Sequence, residues 1–404
     1  MQNPIPNTMR AVVYRGANDL RLETVPVPAI LPGELLVKVA VCGVCPTDIK
    51  KILHGAVPPP RIFGHETAGV ITKIGAGAGQ FRVGDRVALH HHVPCLKCHF
   101  CRHRAFAQCP QYKRTGITAG FEPAGGGYAE YVRVMRFALP GVVKIPARNS
   151  FVEGAMLEPV NTVLKGVNRL ALQRGDRVLV IGQGPIGLMF TRLLFLRGMK
   201  VIATDLMDSR LKLARQWGAG VAFRGDDCAL LDKLAKAAPC LDAAVIAVPS
   251  QAAVLQALEL VRGSGKILLF AHTHRSPRHA LALSPPHESH KSYRSYKSHP
   301  PPLLDLSTIC ADEKDLIGSY SSDFTLQEEV ARLIFSRKLE VRKLVTHYFP
   351  LEQTAAAIAL ASSPAGGSLK VVVNQPITTI LPQSAAGKAL DEKSLKKRFT
   401  NRGG

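Results

Sequence analysis

Arg177–Asp205, RVLVIGQGPIGLMFTRLLFLRGMKVIATD, decides the fold. The short run Val178 to Ile181 is β-branched and apolar and ends at glycine, the pattern of a buried strand. Gly182, Gly184 and Gly187 then fall in the G-x-G-x-x-G spacing, with Ile186 inside it. A helical segment follows from Leu188 to Leu196, then Gly198, then a second β-branched run ending at Asp205. The glycines permit a tight turn, close approach of backbone to a pyrophosphate, and close packing of helix on strand. The helix N-terminus offers N–H groups and the positive end of its dipole. Asp205 stands 18 residues beyond Gly187, near the offset of a carboxylate that binds a ribose 2′-hydroxyl. Strand, glycines, helix, strand and terminal acid in this order point to a dinucleotide site rather than a plain glycine-rich turn.

Around this unit the chain runs to 404 residues, enough for two or three domains. No run of ~18 uninterrupted apolar residues appears, so no membrane span is expected. The start, MQNPIPNTMR, lacks the apolar segment of a secretory signal, and a cytoplasmic location is expected. In that compartment nine cysteines point to metal or free thiols rather than disulfides. The formal charge is +22. The segments 275–302 and 376–404 contribute +4 each, which leaves +14 for the body of the chain. A basic surface attracts anions and keeps a protein soluble. No known nucleic-acid motif appears, which argues against nucleic-acid binding as the main function.

Residues from Met9 to Val143 read as mainly β, with runs at Arg10–Tyr14, Leu35–Val41, Ala68–Ile74 and Arg86–Leu89. Cys45 follows one of these strands in a turn-like context, CGVCPTDIK. His65 and Glu66, in GHE, lead into the next strand. A thiolate, an imidazole and a carboxylate on turns beside strands suit an open zinc site, with one position left for water or substrate. Taken alone this trio is weak. The segment CLKCHFCRHRAFAQC adds Cys95, Cys98, Cys101 and Cys109 in the pattern C-x2-C-x2-C-x7-C. Four thiolates on compact turns fit tetrahedral zinc, with an iron–sulfur cluster as the rival. Unligated, such thiols would be exposed and oxidisable.

With these motifs in place, the chain resembles the zinc-dependent medium-chain dehydrogenases, the superfamily of alcohol, sorbitol and threonine dehydrogenases. The matching motifs run from Met9 to about Val373: GVCPTD, GHE, VGDRV, the four-cysteine lobe, GGGYAEY, MLEPVNTVLKGV and the glycine fingerprint. The resemblance implies an α/β chain with a GroES-like, mainly β catalytic domain and a Rossmann, doubly wound cofactor domain. By resemblance Cys45 and His65 hold a catalytic zinc, and the Cys95 lobe holds a structural one, two zinc ions per chain. Glu66 and Glu158 match acids that ligate the catalytic zinc or stand just behind it in sorbitol- and threonine-type members. Typical alcohol dehydrogenases carry Cys where this chain has Glu158. Asp48 is expected to orient His65, as metal-bound imidazoles usually require. The zinc would lower the pKa of a bound alcohol, whose hydride passes to the nicotinamide. Thr47 matches the family's hydroxyl that passes the alcohol proton outward; read alone, it is equally a capping hydroxyl. Lys50 departs from the family, many of whose members have His there, so the outer relay runs through Lys50 or through the cofactor ribose and water.

The expected domains are 1–160 and 323–375 for the catalytic unit, 161–322 for the cofactor unit, and 376–404 for a basic tail. Residues 275–302, rich in Ser, Pro, His and Lys, read as a disordered insertion in the cofactor unit. Asp205 favours NAD, because its carboxylate suits two ribose hydroxyls and repels a 2′-phosphate. Arg210 matches a family residue near the adenosine, and is equally readable as a solvated helix-end arginine. The resulting expectation is hydride transfer from a secondary alcohol (a polyol, sugar or threonine-like hydroxyl) to NAD, by a homodimer or homotetramer. The runners-up are an NADP-linked carbonyl reductase of the same family and, from another class, a zinc-containing nucleic-acid binder or an inactive homologue.

Overall fold

The computed structural model describes residues 4–90, 93–114, 125–227, 229–237, 240–271, 306–364 and 367–376. The insertion expected at 275–302 and the tail beyond Pro376 lie outside them. The N-terminal part carries β1 (Thr8–Gly16), β2 (Asp19–Pro26), β3 (Leu35–Gly43), α1 (Pro46–Leu53), β4 (Arg61–Ile62), β5 (Glu66–Ile74) and β6 (Arg86–Leu89). Short α2 (His99–Arg102) and α3 (Pro110–Arg114) precede β7 (Tyr131–Val134), β8 (Val143–Lys144), α4 (Phe151–Ala155) and α5 (Leu157–Leu170). Next come β9 (Arg177–Ile181), α6 (Pro185–Leu196), β10 (Lys200–Asp205), α7 (Asp208–Gln216), β11 (Ala219–Arg224) and α8 (Leu230–Ala237). They are followed by β12 (Leu241–Ile246), α9 (Gln251–Leu260), β13 (Val261–Leu269), α10 (Leu306–Ala311) and β14 (Asp315–Gly318). The described elements close with α11 (Gln327–Phe335), β15 (Val345–Phe349), α12 (Thr354–Ser362) and β16 (Lys370–Asn374).

Six parallel strands make the cofactor sheet in the order β11-β10-β9-β12-β13-β14. The order reverses between β9 and β12, at the crevice where open α/β sheets bind their ligands. Both faces of this sheet are covered. Val178 and Val180 pack into one apolar cluster with α5 and α6, while Leu179 and Ile181 pack into another with α8 and α9. A strand buried on both sides has no polar face, which is why Val178–Ile181 reads as a continuous apolar run.

The other unit has a three-stranded sheet, β2-β1-β4, and a larger one in the order β15-β16-β3-β5-β6-β8, with β7 also pairing β3. Its last two strands come from the C-terminal end of the chain, so the unit is closed by both ends of the sequence. Helix α5 runs unbroken across the expected boundary at residue 160. Its Val160, Val163, Leu164 and Val167 belong to a core cluster that also takes in Val41 and Ala68 of the large sheet. The two units thus share apolar packing along one helix. Among the described residues no helix is long and apolar enough to cross a membrane.

Candidate active site

Cys45 caps the N-terminus of α1, where Pro46 takes the first helical position. Proline is suited there because its missing N–H would be unpaired anyway and its φ is already helical. The turn-like context expected for Cys45 is therefore a helix start. It places half-buried Thr47 and Lys50 on the same first turns of α1. Burial lowers the Lys50 ammonium pKa.

Antiparallel pairing of β3 with β5 sets Gly43 opposite Glu66 and so brings Cys45 beside His65 and Glu66. The ligand atoms of these three residues lie within 4.8 Å of one another. Gly43 is required for that closeness, since a Cβ on it would meet Glu66 Oε2 at 1.9 Å. Gly64, at φ +98°, makes the turn before His65; a Cβ there would stand 2.7 Å from Cys42 Sγ. His65 Nδ1 donates to Asp48 Oδ1 at 3.1 Å, which leaves Nε2 for a ligand. Burial pulls the imidazole pKa down, but Asp48 and Cys45 outweigh it and hold His65 well above its ordinary value.

Glu158, in the first turn of α5, is 5% exposed. It lies outside the close trio. Burial pushes its carboxyl up to about 7, with His65 pulling it down and Glu66 pushing it up. Lys370, the opening residue of β16, was not singled out from the sequence. It is buried, ion-paired with Glu66 Oε2, and donates to the Val44 carbonyl at 2.9 Å. Burial lowers its ammonium, yet Glu66 and Cys45 raise it above its ordinary value. Lys370 thus faces the buried carboxylates Glu66 and Glu158 and the Cys45 thiol, while buried Asp48 faces His65. Asp48 Oδ2 is itself buried without a hydrogen-bond partner. Buried charge demands compensation, and a borderline-soft divalent cation such as zinc matches this sulfur, nitrogen and oxygen donor set.

In the separate lobe the sulfurs of Cys95, Cys98, Cys101 and Cys109 also lie within 4.8 Å of one another. Cys98 and Cys101 are 3.5 Å apart, and Cys95 and Cys101 3.9 Å. The N–H groups of Lys97 and Cys98 hold the Cys95 thiol down to about 6, whereas burial pushes Cys101 up to about 12. Four sulfurs at these separations fit a tetrahedral metal. The lobe rests on the segment that returns the chain from the cofactor unit. Phe106 packs edge-on against Phe324 with centroids 5.4 Å apart, and Tyr112 hydrogen-bonds Ser321.

At the crevice Gly182 adopts φ +91°, and a Cβ on Gly187 would lie 1.7 Å from the Gly182 carbonyl oxygen. Gly184 caps α6, and a Cβ there would meet only Arg210 Nη1, at 4.0 Å. Half-buried Ile186 occupies the first turn of that helix. Asp205 ends β10; its Oδ2 accepts from Gln183 N at 2.6 Å and its Oδ1 from Met207 N at 2.9 Å. Arg210 Nη1 stands 3.9 Å from Asp205 Oδ2. Backbone stripped of side chains, a helix N-terminus and an anchored carboxylate fit the pyrophosphate and ribose of a dinucleotide.

Two family models match the chain: the alcohol dehydrogenase GroES-like domain over residues 31–147 and zinc-binding dehydrogenase over residues 185–334. The chain belongs to the zinc-dependent medium-chain dehydrogenases. Sorbitol dehydrogenase of Bombyx mori is 28% identical over 90% of this chain and 98% of its own length. Sorbitol dehydrogenase of Bacillus subtilis is 29% identical over 92% and 99%. A solved zinc-binding dehydrogenase from Sinorhizobium meliloti, bound to NADP, superposes with a TM-score of 0.75 at 25% identity, covering 92% of this chain and 100% of that one. This member of the superfamily is therefore a zinc-dependent oxidoreductase of the alcohol dehydrogenase type, with a nicotinamide cofactor. Two groups that its sequence did not single out, Gly43 and Lys370, hold its candidate metal site together. Their signals were faint: a glycine closing a strand, and a lysine opening an otherwise apolar one.

Proposed function

We propose that this dehydrogenase oxidises a secondary alcohol of the polyol class with NAD, using two zinc ions per chain. Cys45, His65 and Glu66 would hold the catalytic ion, with Glu158 behind them, and Cys95, Cys98, Cys101 and Cys109 the structural one. The observation that carries the substrate class is the carboxylate-rich surround, in which Glu66 and Glu158 stand buried with the Cys45 and His65 pair. The sorbitol dehydrogenases among its relatives support the same class. When bound, zinc supplies Lewis-acid polarisation of the substrate oxygen.

The chain's own groups do the rest. Asp48 fixes the tautomer and orientation of His65. Lys370 holds the Glu66 carboxylate against Gly43 and balances its charge. Thr47, half-buried in the first turn of α1, would be the first carrier of the alcohol proton, with Lys50 one turn further on. Gly182, Gly184, Ile186 and Gly187 present backbone to the pyrophosphate, and Asp205 accepts the ribose hydroxyls with Arg210 beside it. We place the enzyme in the cytosol as a homodimer or homotetramer.

The test is metal content together with turnover on a panel of polyols, simple secondary alcohols and threonine, each with NAD and with NADP. About two zinc ions per chain and fastest NAD-linked turnover on a polyol are expected. Turnover confined to simple alcohols would overturn the substrate class, and faster turnover with NADP would overturn the cofactor.

A further inference from the structure

Arg224 ends β11 beside the cofactor crevice. In the parallel register it pairs with Asp205, and Gly225 N donates to the Asp205 carbonyl at 2.9 Å. Neighbouring strands run ~4.8 Å apart, so this arginine rises next to the carboxylate assigned to the ribose. Its guanidinium is occupied. Nε and Nη2 donate to the two oxygens of Asp226 at 2.9 and 2.7 Å, and Nη1 lies 3.3 Å from Asp208 Oδ1. Asp208 opens α7 just after the Leu206–Met207 turn, so Arg224 is held from both sides of the edge where a ribose 2′ substituent would project. Among the described residues Arg210 also stands at this edge, its Nη1 3.9 Å from Asp205 Oδ2.

We propose that Arg224 is a specificity-determining residue whose cation is withheld. Asp208 and Asp226 sequester it, so a 2′-phosphorylated dinucleotide meets the Asp205 carboxylate while the Arg224 charge is already neutralised by two other carboxylates. This rests on the NAD reading above and extends it from Asp205 to three residues that the fingerprint does not contain. The fold depends little on the arrangement. The side chains of Arg224, Asp226 and Asp208 are 43%, 52% and 77% exposed, and ion pairs so exposed stabilise a fold little. Releasing the arginine should therefore change recognition without unfolding the protein.

The experiment measures Kd for 2′,5′-ADP and for 5′-AMP by calorimetry on the full chain. The proteins are the wild type, the double variant D208N/D226N and the triple variant D208N/D226N/R224Q. Wild type should bind 2′,5′-ADP more weakly than 5′-AMP. The double variant should bind 2′,5′-ADP about tenfold more tightly than wild type does, the worth of one charge-assisted contact to a phosphate. Its affinity for 5′-AMP should not change, which also reports an intact site. Adding R224Q should remove the gain. A double variant that gains nothing, or a triple variant that keeps the gain, overturns the sequestration and leaves the NAD reading standing. A wild type that prefers 2′,5′-ADP overturns the NAD reading and the sequestration with it.

Discussion

Replacing Gly43 by alanine tests how the candidate zinc site is assembled. The added methyl would stand 1.9 Å from Glu66 Oε2, 3.0 Å from its Cδ and 3.1 Å from its Cβ. Gly43 is in ordinary strand conformation, so alanine costs nothing in backbone strain. The two residues face each other in the β3–β5 register, and the strands cannot part without losing ladder hydrogen bonds. The Glu66 carboxylate must therefore swing away, out of its ion pair with Lys370 and away from Cys45 and His65. Overpacking of this kind costs roughly 1–3 kcal/mol. If the fold pays it through Glu66, zinc affinity at the catalytic position should fall about 10–100-fold, the range seen when a group orienting a metal ligand is lost. Metal content per chain after dialysis against graded chelator measures this, with the four-cysteine zinc as internal reference. G43A should lose one zinc at chelator concentrations the wild type withstands, and lose alcohol turnover in parallel. A G43A protein that keeps both ions equally well and turns over at the wild-type rate would refute the steric argument and Glu66's place in the site.

Three further outcomes are expected. Gly187→Ala puts a Cβ 1.7 Å from the Gly182 carbonyl oxygen; it should abolish dinucleotide binding by calorimetry while both zinc ions stay, and retained binding would remove the fingerprint from its role. Tyr112→Phe removes the hydrogen bond to Ser321, a loss of about 1 kcal/mol. It should speed amide exchange across residues 319–326 at unchanged zinc content, and unaltered exchange would show that the lobe does not fasten that segment. Glu153 completes a capping box with Ser150 at the start of α4. Burial pushes its carboxyl up, but hydrogen bonds from the Ser150 backbone, Asn149 and the Ser150 hydroxyl hold it below its ordinary value. Its contribution is present above the unfolded value of roughly 4.3 and is lost as pH falls through the folded value. Glu153→Gln should cost about 1 kcal/mol at neutral pH, and the gap from wild type in urea unfolding should narrow on acidification; a constant gap would contradict the ionised role.

What could be read in advance divides along a physical line. Residues 177–205 disclosed the cofactor sheet because burial on both faces of β9 leaves a local mark, an unbroken apolar run closed by glycine. The four-cysteine lobe was equally plain, since its ligands lie within one short segment and need no distant partner to be recognised. The sequence places Cys45 between its strands but leaves its local structure open, because Pro46 signals a turn and a helix start alike, and only the eight-residue α1 behind it decides between them. Packing of the lobe against Phe324 and Ser321 left no trace in the sequence, since an aromatic edge contact between distant segments has no period.

Lys370 shows the same limit at the candidate site. Its sequence context, KVVVN, announces a buried strand, and a buried strand is an unfavourable place for an ammonium group. The lysine becomes intelligible only when β16 lies against β3, so that Nζ reaches both the Val44 carbonyl and Glu66. The charge that balances Glu66 therefore comes from the opposite end of the chain, in the last described strand. The catalytic unit is thus joined from both directions: the N-terminal segment brings Cys45, His65 and Glu66 together, and the C-terminal strand supplies the ammonium that pairs with Glu66. The candidate metal site and the large sheet are therefore built from the same contacts, with Gly43 making the room for Glu66 and Lys370 supplying its counter-charge.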